Sequence, residues 1–250
     1  RFYVSLSACD ALQAKVCLSL KDYTNAAAYA NKVITKSNFA LSTTSVEYAQ
    51  AFVSNSSSKE LVFALANKRS TSLLLFYQTV NDIDPTWDYS PSTECYSHLY
   101  DDTAVKSKDI RAKAVFGSDN SRIIKFPNGS TGQFVTNEQP SQIPIVVTRV
   151  AEMYLIKAEA LGAVNGLSTL KEFMNKRYAT VLLPSNMTDI EFQNQILDER
   201  HRELYAEGQR WYDLKRTNRL DLFSSLNGRN YLMYYPVPQS ERDLAGEENY

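Results

Sequence analysis

Apolar side chains recur at three- and four-residue steps near the start of the chain, at Leu6, Cys9, Leu12, Val16 and Leu20. That spacing marks one face of an α-helix. The stretch "LKDY" interrupts it, and Ala26, Ala27, Ala30, Val33 and Ile34 resume it. The pattern predicts two helices and a tight turn over about 3–37, with Ala14, Ala26 and Ala30 allowing close approach and Tyr23 packing across the turn. A second pair is predicted over about 149–178, where Val150, Met153, Tyr154, Ile156, Lys157 and Ala160 precede a Gly/Asn break and Leu167, Leu170, Phe173 and Met174 follow it. A long helix is predicted over about 189–219, with Ile196, Leu197, Leu204, Trp211 and Leu214 as its apolar stripe and Gly208 where a neighbouring backbone comes close.

Between about 41 and 144 the periodicity is lost. "ELVFALA" reads as a strand, whereas "SNSSSKE", "FPNGSTGQF" and "NEQPSQIP" carry the Pro, Gly, Ser and Asn of loops. Long loops in a compact protein commonly hold binding residues. "KDYTNAAAYANKVITKSNF" resembles the second half of a tetratricopeptide repeat. The expected fold is therefore all-α: a tetratricopeptide-like α-α superhelix with a loop-rich insertion and minor β structure.

Charge narrows the function. Lys plus Arg number 27 against 28 Asp plus Glu, leaving no basic field for nucleic acid or an acidic membrane. No apolar run approaches the ~20 residues that span a bilayer. Cys9 and Cys17 would stand ~12 Å apart along a helix, too far for a disulfide, and without a CxxC pair the three cysteines read as small core residues. The 16 tyrosines are the unusual count; most are expected at helix interfaces with their hydroxyls in water, and a few suit a surface that binds polar ligands through flat rings.

The densest chemistry lies in "ILDERHRELYAEGQRWYDLKRTNRL", residues 196–220. Glu199, Glu203 and Glu207 share a helical face, and Cβ atoms four residues apart are ~5–6 Å from each other. A retaining glycosidase needs its carboxyl groups about 5 Å apart, so Glu199 with Glu203 is the sharp catalytic reading. Catalytic carboxylates, however, face each other across a sugar from different elements. Glu199 with Arg202, Glu207 with Arg210 and Asp213 with Arg216 have the spacing of helical ion pairs instead. His98 and His201 have no metal-binding motif around them, and phosphate loops, dinucleotide fingerprints and serine elbows are absent. No enzyme activity, cofactor or metal is expected.

Three segments in order, "RVAEMYLIKAEAL", "ILDERHRELYAEGQRWYDLKRTNRL" and "YYPVPQSERDL", resemble the carboxy-terminal half of the SusD/RagB-like outer-membrane nutrient-binding proteins. The positions that carry the likeness are Arg149, Ala151, Glu152, Tyr154, Leu155, Ala158, Glu159 and Ala160, then Glu199, Arg200, Glu203, Leu204, Glu207, Gly208, Arg210, Trp211, Asp213, Leu214 and Arg216, then Pro236, Pro238 and Glu241. "SKELVFALA" and "LYDDTAVKSKDIRAKAVF" also fit. The resemblance implies a single SusD-like domain over 1–250, without the family's amino-terminal portion and lipid-anchor cysteine. It further implies a non-enzymatic protein at the surface of the outer membrane. Such a protein captures oligosaccharide, or in some members peptide, for a SusC-like TonB-dependent transporter. The motif residues look like scaffold in that family pattern.

Sugars present flat C–H faces and many hydroxyls, so a glycan site needs exposed rings beside carboxylates or amides. "NDIDPTWDYSP" has that makeup: Trp87 and Tyr89 to stack, with Asn81, Asp84 and Asp88 (and Asp82) to accept hydroxyl protons. In an extended segment, favoured by Pro85 and Pro91, both rings fall on one side. The competing role for Trp87 is to plug the seam between loop and helices. Tyr96 and Tyr100 are secondary candidates, since "CYSHLY" as a helix turns those rings inward. Three other functions compete with glycan capture. They are peptide binding within the same family, a generic tetratricopeptide-type scaffold for protein tails, and glycoside hydrolysis by Glu199 with Glu203 or Glu207.

Overall fold

The structure is a computed structural model that describes residues 3–52, 58–66, 91–100, 109–116, 123–126, 144–178, 181, 183–222, 240–241 and 243. The chain divides into two compact units, Arg1–Tyr205 and Ala206–Tyr250.

The first unit begins with α1 (Leu6–Ser19), whose Ser5 caps Ala8 N, and α2 (Tyr23–Ile34), capped by Asp22 on Asn25 N. Between them Lys21 is left-handed at φ 61°, and the Asp22 and Lys21 amides donate to Cys17 O and Leu18 O. That is a Schellman turn. The helices meet through small residues: Ala11, Ala14, Ala26 and Ala30 are fully buried, in one cluster with Leu18, Val33 and Phe39. The stripe of larger residues on α1 faces the other way, with Leu6, Val16 and Leu20 exposed. Cys9 is exposed too, and Cys17 and Cys95 are half-buried, so the expectation of three core cysteines is corrected; none of the three is in a disulfide.

α2 packs against both α1 and α6 (Val150–Arg177). At Gly162 (φ 70°, ψ 179°) α6 leaves helical geometry and the chain doubles back. The reversal brings Tyr154 Oη to Glu172 Oε1 at 3.0 Å and sets Gly166 beside the Ala158 carbonyl. A Cβ at Gly166 would stand 2.0 Å from Ala158 O, whereas one at Gly208 would meet nothing within 4 Å. The close-approach glycine is thus Gly166, and Gly208 (φ 75°) serves a turn instead.

Short elements among the described residues of the unit include α3 (Ser45–Ala49), β1 (Leu61–Leu65), α4 (Thr93–Tyr100), α5 (Ile110–Val115) and β2 (Ile145–Arg149). β1 and β2 pair antiparallel, Leu61 opposite Arg149 and Leu65 opposite Ile145. α7 (Asp189–Glu203) opens with a capping box between Thr188 and Glu191. It does not run on to Arg219. Leu204–Gly208 form turns with Ala206 (φ 61°) and Gly208 left-handed, and α8 (Arg210–Arg216) belongs to the second unit. Within that unit Arg216 pairs with Asp213 at 2.8 Å and Arg219 with Asp221 at 2.9 Å.

Candidate functional site

The strongest concentration of charge in the first unit is sealed inside it. Arg111 from α5, Arg149 from the end of β2 and Arg177 from the end of α6 converge on Glu60, Asp109, Glu199 and Glu203, and each is buried. Arg111 forks onto Asp109 (Nε–Oδ1 3.0 Å, Nη2–Oδ2 2.9 Å) and reaches Glu199 at 3.0 Å. Arg177 donates through Nε to Glu203 Oε2 at 2.9 Å and through Nη2 to Glu60 Oε1 at 2.8 Å. Arg149 Nη1 bridges Glu60 and Glu203. Tyr178 stands between Arg111 and Glu199, accepting from one and donating to the other at 2.7 Å each.

The backbone carbonyl of Glu203, at the end of α7, accepts from the Tyr48 hydroxyl (3.0 Å), Lys125 Nζ (3.0 Å) and Arg149 Nη2 (2.9 Å). Cations at a helix C-terminus meet its partial negative charge and its orphan carbonyls. The rings of Tyr48, Phe52, Phe173 and Tyr178 wall the guanidiniums at 5.1–5.4 Å from ring centroid to carbon in the Arg149–Tyr48, Arg149–Phe52, Arg177–Tyr48, Arg177–Phe173 and Arg111–Tyr178 pairs. Lys125 is also buried here and donates a second bond to Tyr205 O at 2.9 Å.

Electrostatics decides what these carboxylates can do. Burial works against the charged form of Glu203, but Arg177, Arg149 and Arg111 outweigh it and hold the group well below the usual carboxylate range. Burial likewise opposes ionised Glu199, yet Arg111, Arg202 and the Tyr178 hydroxyl lower its pKa. Burial, above all, pushes the Tyr178 phenol well up. A glycosidase acid needs a raised pKa and a substrate within reach. Glu199 and Glu203 expose no surface and are held as anions. The catalytic reading of this pair fails, and the expected Glu199–Arg202 ion pair is present at 3.0 Å as one strand of a buried network.

Asn81, Asp82, Asp84, Trp87, Asp88 and Tyr89 lie outside the described residues. α4, which follows that segment, is clamped to α7: Arg202 Nε donates to Leu99 O at 2.8 Å, and His98 Nε2 lies 3.3 Å from Asp198 Oδ1. Tyr100 is buried against Phe116, and half-buried Tyr96 packs edge-on to the same ring, so neither offers an open face as a platform. Among the described residues no group of three or more His, Cys, Asp or Glu is arranged to hold a metal ion, and no helix is long and apolar enough to cross a membrane. Among the described residues, two surface clefts of about 340 Å³ stand out. One is lined by polar Ser42, Thr43, Glu47, Gln50, Ser58 and Lys59 with Ala40 and Leu41, the other by Tyr23, Leu161, Ile190 and Phe192 with Glu159 and Asp189 among its walls.

Sequence reasoning picked out Glu203 and the Glu199–Arg202 pair but missed the other members of the cluster. Glu60, Arg111, Arg149 and Arg177 each sit in a segment rich in apolar residues, "KELVFALA", "DIRAKAVF", "VVTRVAEM" and "FMNKRYA". A charge carried into the interior with such a stretch must be paired.

These features define an all-α protein of packed helical hairpins, locked at one end by a buried charge cluster. The model of the SusD family matches residues 76–242, so the chain belongs to that family. Among curated relatives, the Starch-binding protein SusD of Bacteroides thetaiotaomicron is 30% identical over 171 residues, covering 61% of this chain and 30% of its own length. A SusD-like protein of Formosa agariphila is 35% identical over 96 residues, 34% of this chain and 19% of its own length. This chain therefore spans less than a third of either relative. Solved structures share the fold: a SusD superfamily protein from Bacteroides thetaiotaomicron (TM-score 0.68, 20% identity, 95% of this chain and 55% of that one) and a laminarin-binding SusD-like protein (TM-score 0.66, 21% identity, 90% and 57%).

Proposed function

We propose that this chain is part of a non-catalytic binding protein at the outer-membrane surface that captures a glycan and passes it to a SusC-like TonB-dependent transporter. The observation that carries this reading is membership of the SusD family over residues 76–242, a family whose matched relatives include a starch-binding and a laminarin-binding protein. The sealed state of Glu199 and Glu203 supports binding over hydrolysis, because the two carboxylates with glycosidase spacing are committed to the scaffold.

The ligand platform in this proposal is the segment around Trp87 and Tyr89, with Asn81, Asp84 and Asp88 taking sugar hydroxyls. All of them fall in the matched stretch. Stacking suits this task because a sugar's C–H face and an indole are both flat and apolar, while the neighbouring carboxylates orient the ring through its hydroxyls. The lipid anchor and the transporter contact belong to the whole protein and are inferred from the family alone.

Calorimetric titration of the full-length protein with starch, laminarin and a pool of oligopeptides tests the reading. Binding of a glycan, weakened ~30-fold by Trp87→Ala as for a ~2 kcal/mol aromatic anchor, is the expected result. Binding of peptides with no response to any glycan would replace it with the peptide-binding alternative.

A further inference from the structure

The polar cleft of about 340 Å³ in the first unit holds groups that the scaffold leaves unused. Its wall runs along residues 40–43, and hydrogen bonds pin that stretch from two sides. The Ala40 amide donates to Lys59 O at 3.1 Å, and the Ser42 amide donates to Glu60 Oε1 at 2.6 Å. Arg177 Nη1, from the buried charge cluster, donates to Ser42 O at 2.9 Å. Ser42 is thus tied down through its backbone, and only 5% of the residue is exposed. Its hydroxyl, however, meets no hydrogen-bond partner among the described residues. A polar group so deep is normally paired. This one borders a cavity, so a donor and an acceptor stand ready at the cleft wall.

Charge and chemistry restrict what fits. Glu47 accepts from Thr43 N at 2.8 Å and from Thr43 Oγ1 at 3.1 Å, and the Thr43 amide, above all, lowers its pKa. Lys59 is exposed, with no ion pair among the described residues. One anion and one cation give the cleft no net charge with which to collect an ion. Ser42, Thr43, Gln50 and Ser58 add hydroxyls and an amide, and no aromatic ring lines the cleft. A flat apolar ligand would find no platform there. A small neutral ligand rich in hydroxyls would find donors and acceptors on a frame already held in place, so little ordering cost opposes its binding.

We propose that this cleft binds a neutral mono- or disaccharide unit through hydrogen bonds alone. Glu47 accepts from the sugar's hydroxyls, Lys59 donates to them, and the Ser42 hydroxyl does either. None of these residues belongs to the platform assigned around Trp87 and Tyr89. The choice of a sugar among neutral polyols rests on the glycan-binding function proposed above, whereas the requirement for a neutral, hydroxyl-rich ligand comes from the cleft itself.

The test titrates the full-length protein with maltose and with laminaribiose through the millimolar range, where a few hydrogen bonds without stacking place the Kd. Deuterium exchange followed by mass spectrometry reads the backbone of residues 40–50. At least one of the two sugars should slow exchange there about twofold or more. Ser42→Ala keeps both backbone bonds of Ser42, and Lys59→Met keeps the length of the side chain. Each should weaken the Kd about 3–10-fold, the loss of one hydrogen bond, while Trp87→Ala leaves the protection of 40–50 in place. No protection by either sugar, or a Kd unchanged in either cleft variant, would overturn the proposal. Protection that disappears in Trp87→Ala would overturn it too, by returning the effect to the platform. Glycan binding that needs Trp87 while 40–50 stays unprotected sinks the cleft alone, and protection of 40–50 without any Trp87-dependent binding sinks the platform alone.

Discussion

The Arg177 guanidinium donates to Glu203 at 2.9 Å, and neither side chain exposes any surface. Glu203 also accepts from Arg149 and Arg111, so one carboxylate joins the ends of α5, β2, α6 and α7. Removing one member of a buried ion pair strands the others, at a cost of about 3–5 kcal/mol. Glu203→Gln should therefore shift the urea midpoint strongly downward without changing the slope of the transition, as equilibrium unfolding followed by circular dichroism will show. A midpoint that does not move would mean the cluster adds nothing to stability.

Acid should find the same weak point. The folded pKa values of Glu203 and Glu199 lie below the ordinary 4.5. A depressed carboxyl contributes stability above its unfolded pKa and loses it as pH falls from there toward the folded value. Melting temperature should thus hold steady down to roughly pH 5 and fall below it. Glu203→Gln, which has no proton to take up there, should fall less steeply. Equal slopes for the two proteins would assign acid sensitivity to other groups.

Gly166 and Gly162 make a paired test of the α6 reversal. Alanine at Gly166 drives a Cβ into Ala158 O, a clash with backbone that helix separation alone can relieve. Alanine at Gly162 meets no atom but must hold φ 70° and ψ 179°, a region that is nearly glycine-only. Backbone strain of that kind costs about 1–3 kcal/mol. Both variants should melt lower, and Gly166→Ala should be the worse of the two.

Tyr48→Phe removes one of three donors to Glu203 O while keeping the ring against Arg149 and Arg177. Lys125 and Arg149 still serve that carbonyl, so the loss should be modest, about 1 kcal/mol. A chemical denaturation curve measures it. A loss as large as that of Glu203→Gln would show that the hydroxyl orders the whole cluster.

Scaffold and ligand site should separate cleanly in binding experiments. Glu199→Gln, in the buried network, should lower the urea midpoint and leave glycan affinity unchanged below the transition. Trp87→Ala and Tyr89→Ala should do the reverse. Loss of affinity in Glu199→Gln at full folding would place the carboxylate in the ligand's path.

The hairpins were legible because their signals are local. The three- and four-residue periods, the "LKDY" interruption and the Gly/Asn break each act within a few residues, and the structure has helices on either side of each. The faces were less legible. Period alone marks a stripe but not which side of α1 is inward, and the larger residues looked like the core. Close helix packing rewards alanine instead, because a small side chain brings two backbones together, so Ala11 and Ala14 are buried while Leu6 and Leu20 are not. The break after Glu203 escaped notice because "ELYAEGQR" has good helix formers, and only Gly208 hinted at the left-handed turn that Ala206 shares.

By itself the sequence determined the helical class, the family and the membership of Glu199 and Glu203 in a common helical face. Only the tertiary structure decided what that face meets. Arg111, Arg149 and Arg177 stand 26 to 92 residues from Glu203 along the chain and reach it because four elements end at one place. Partners so far apart leave no spacing to read. Coulomb attraction and desolvation depend on distance in space, and folding alone sets that distance.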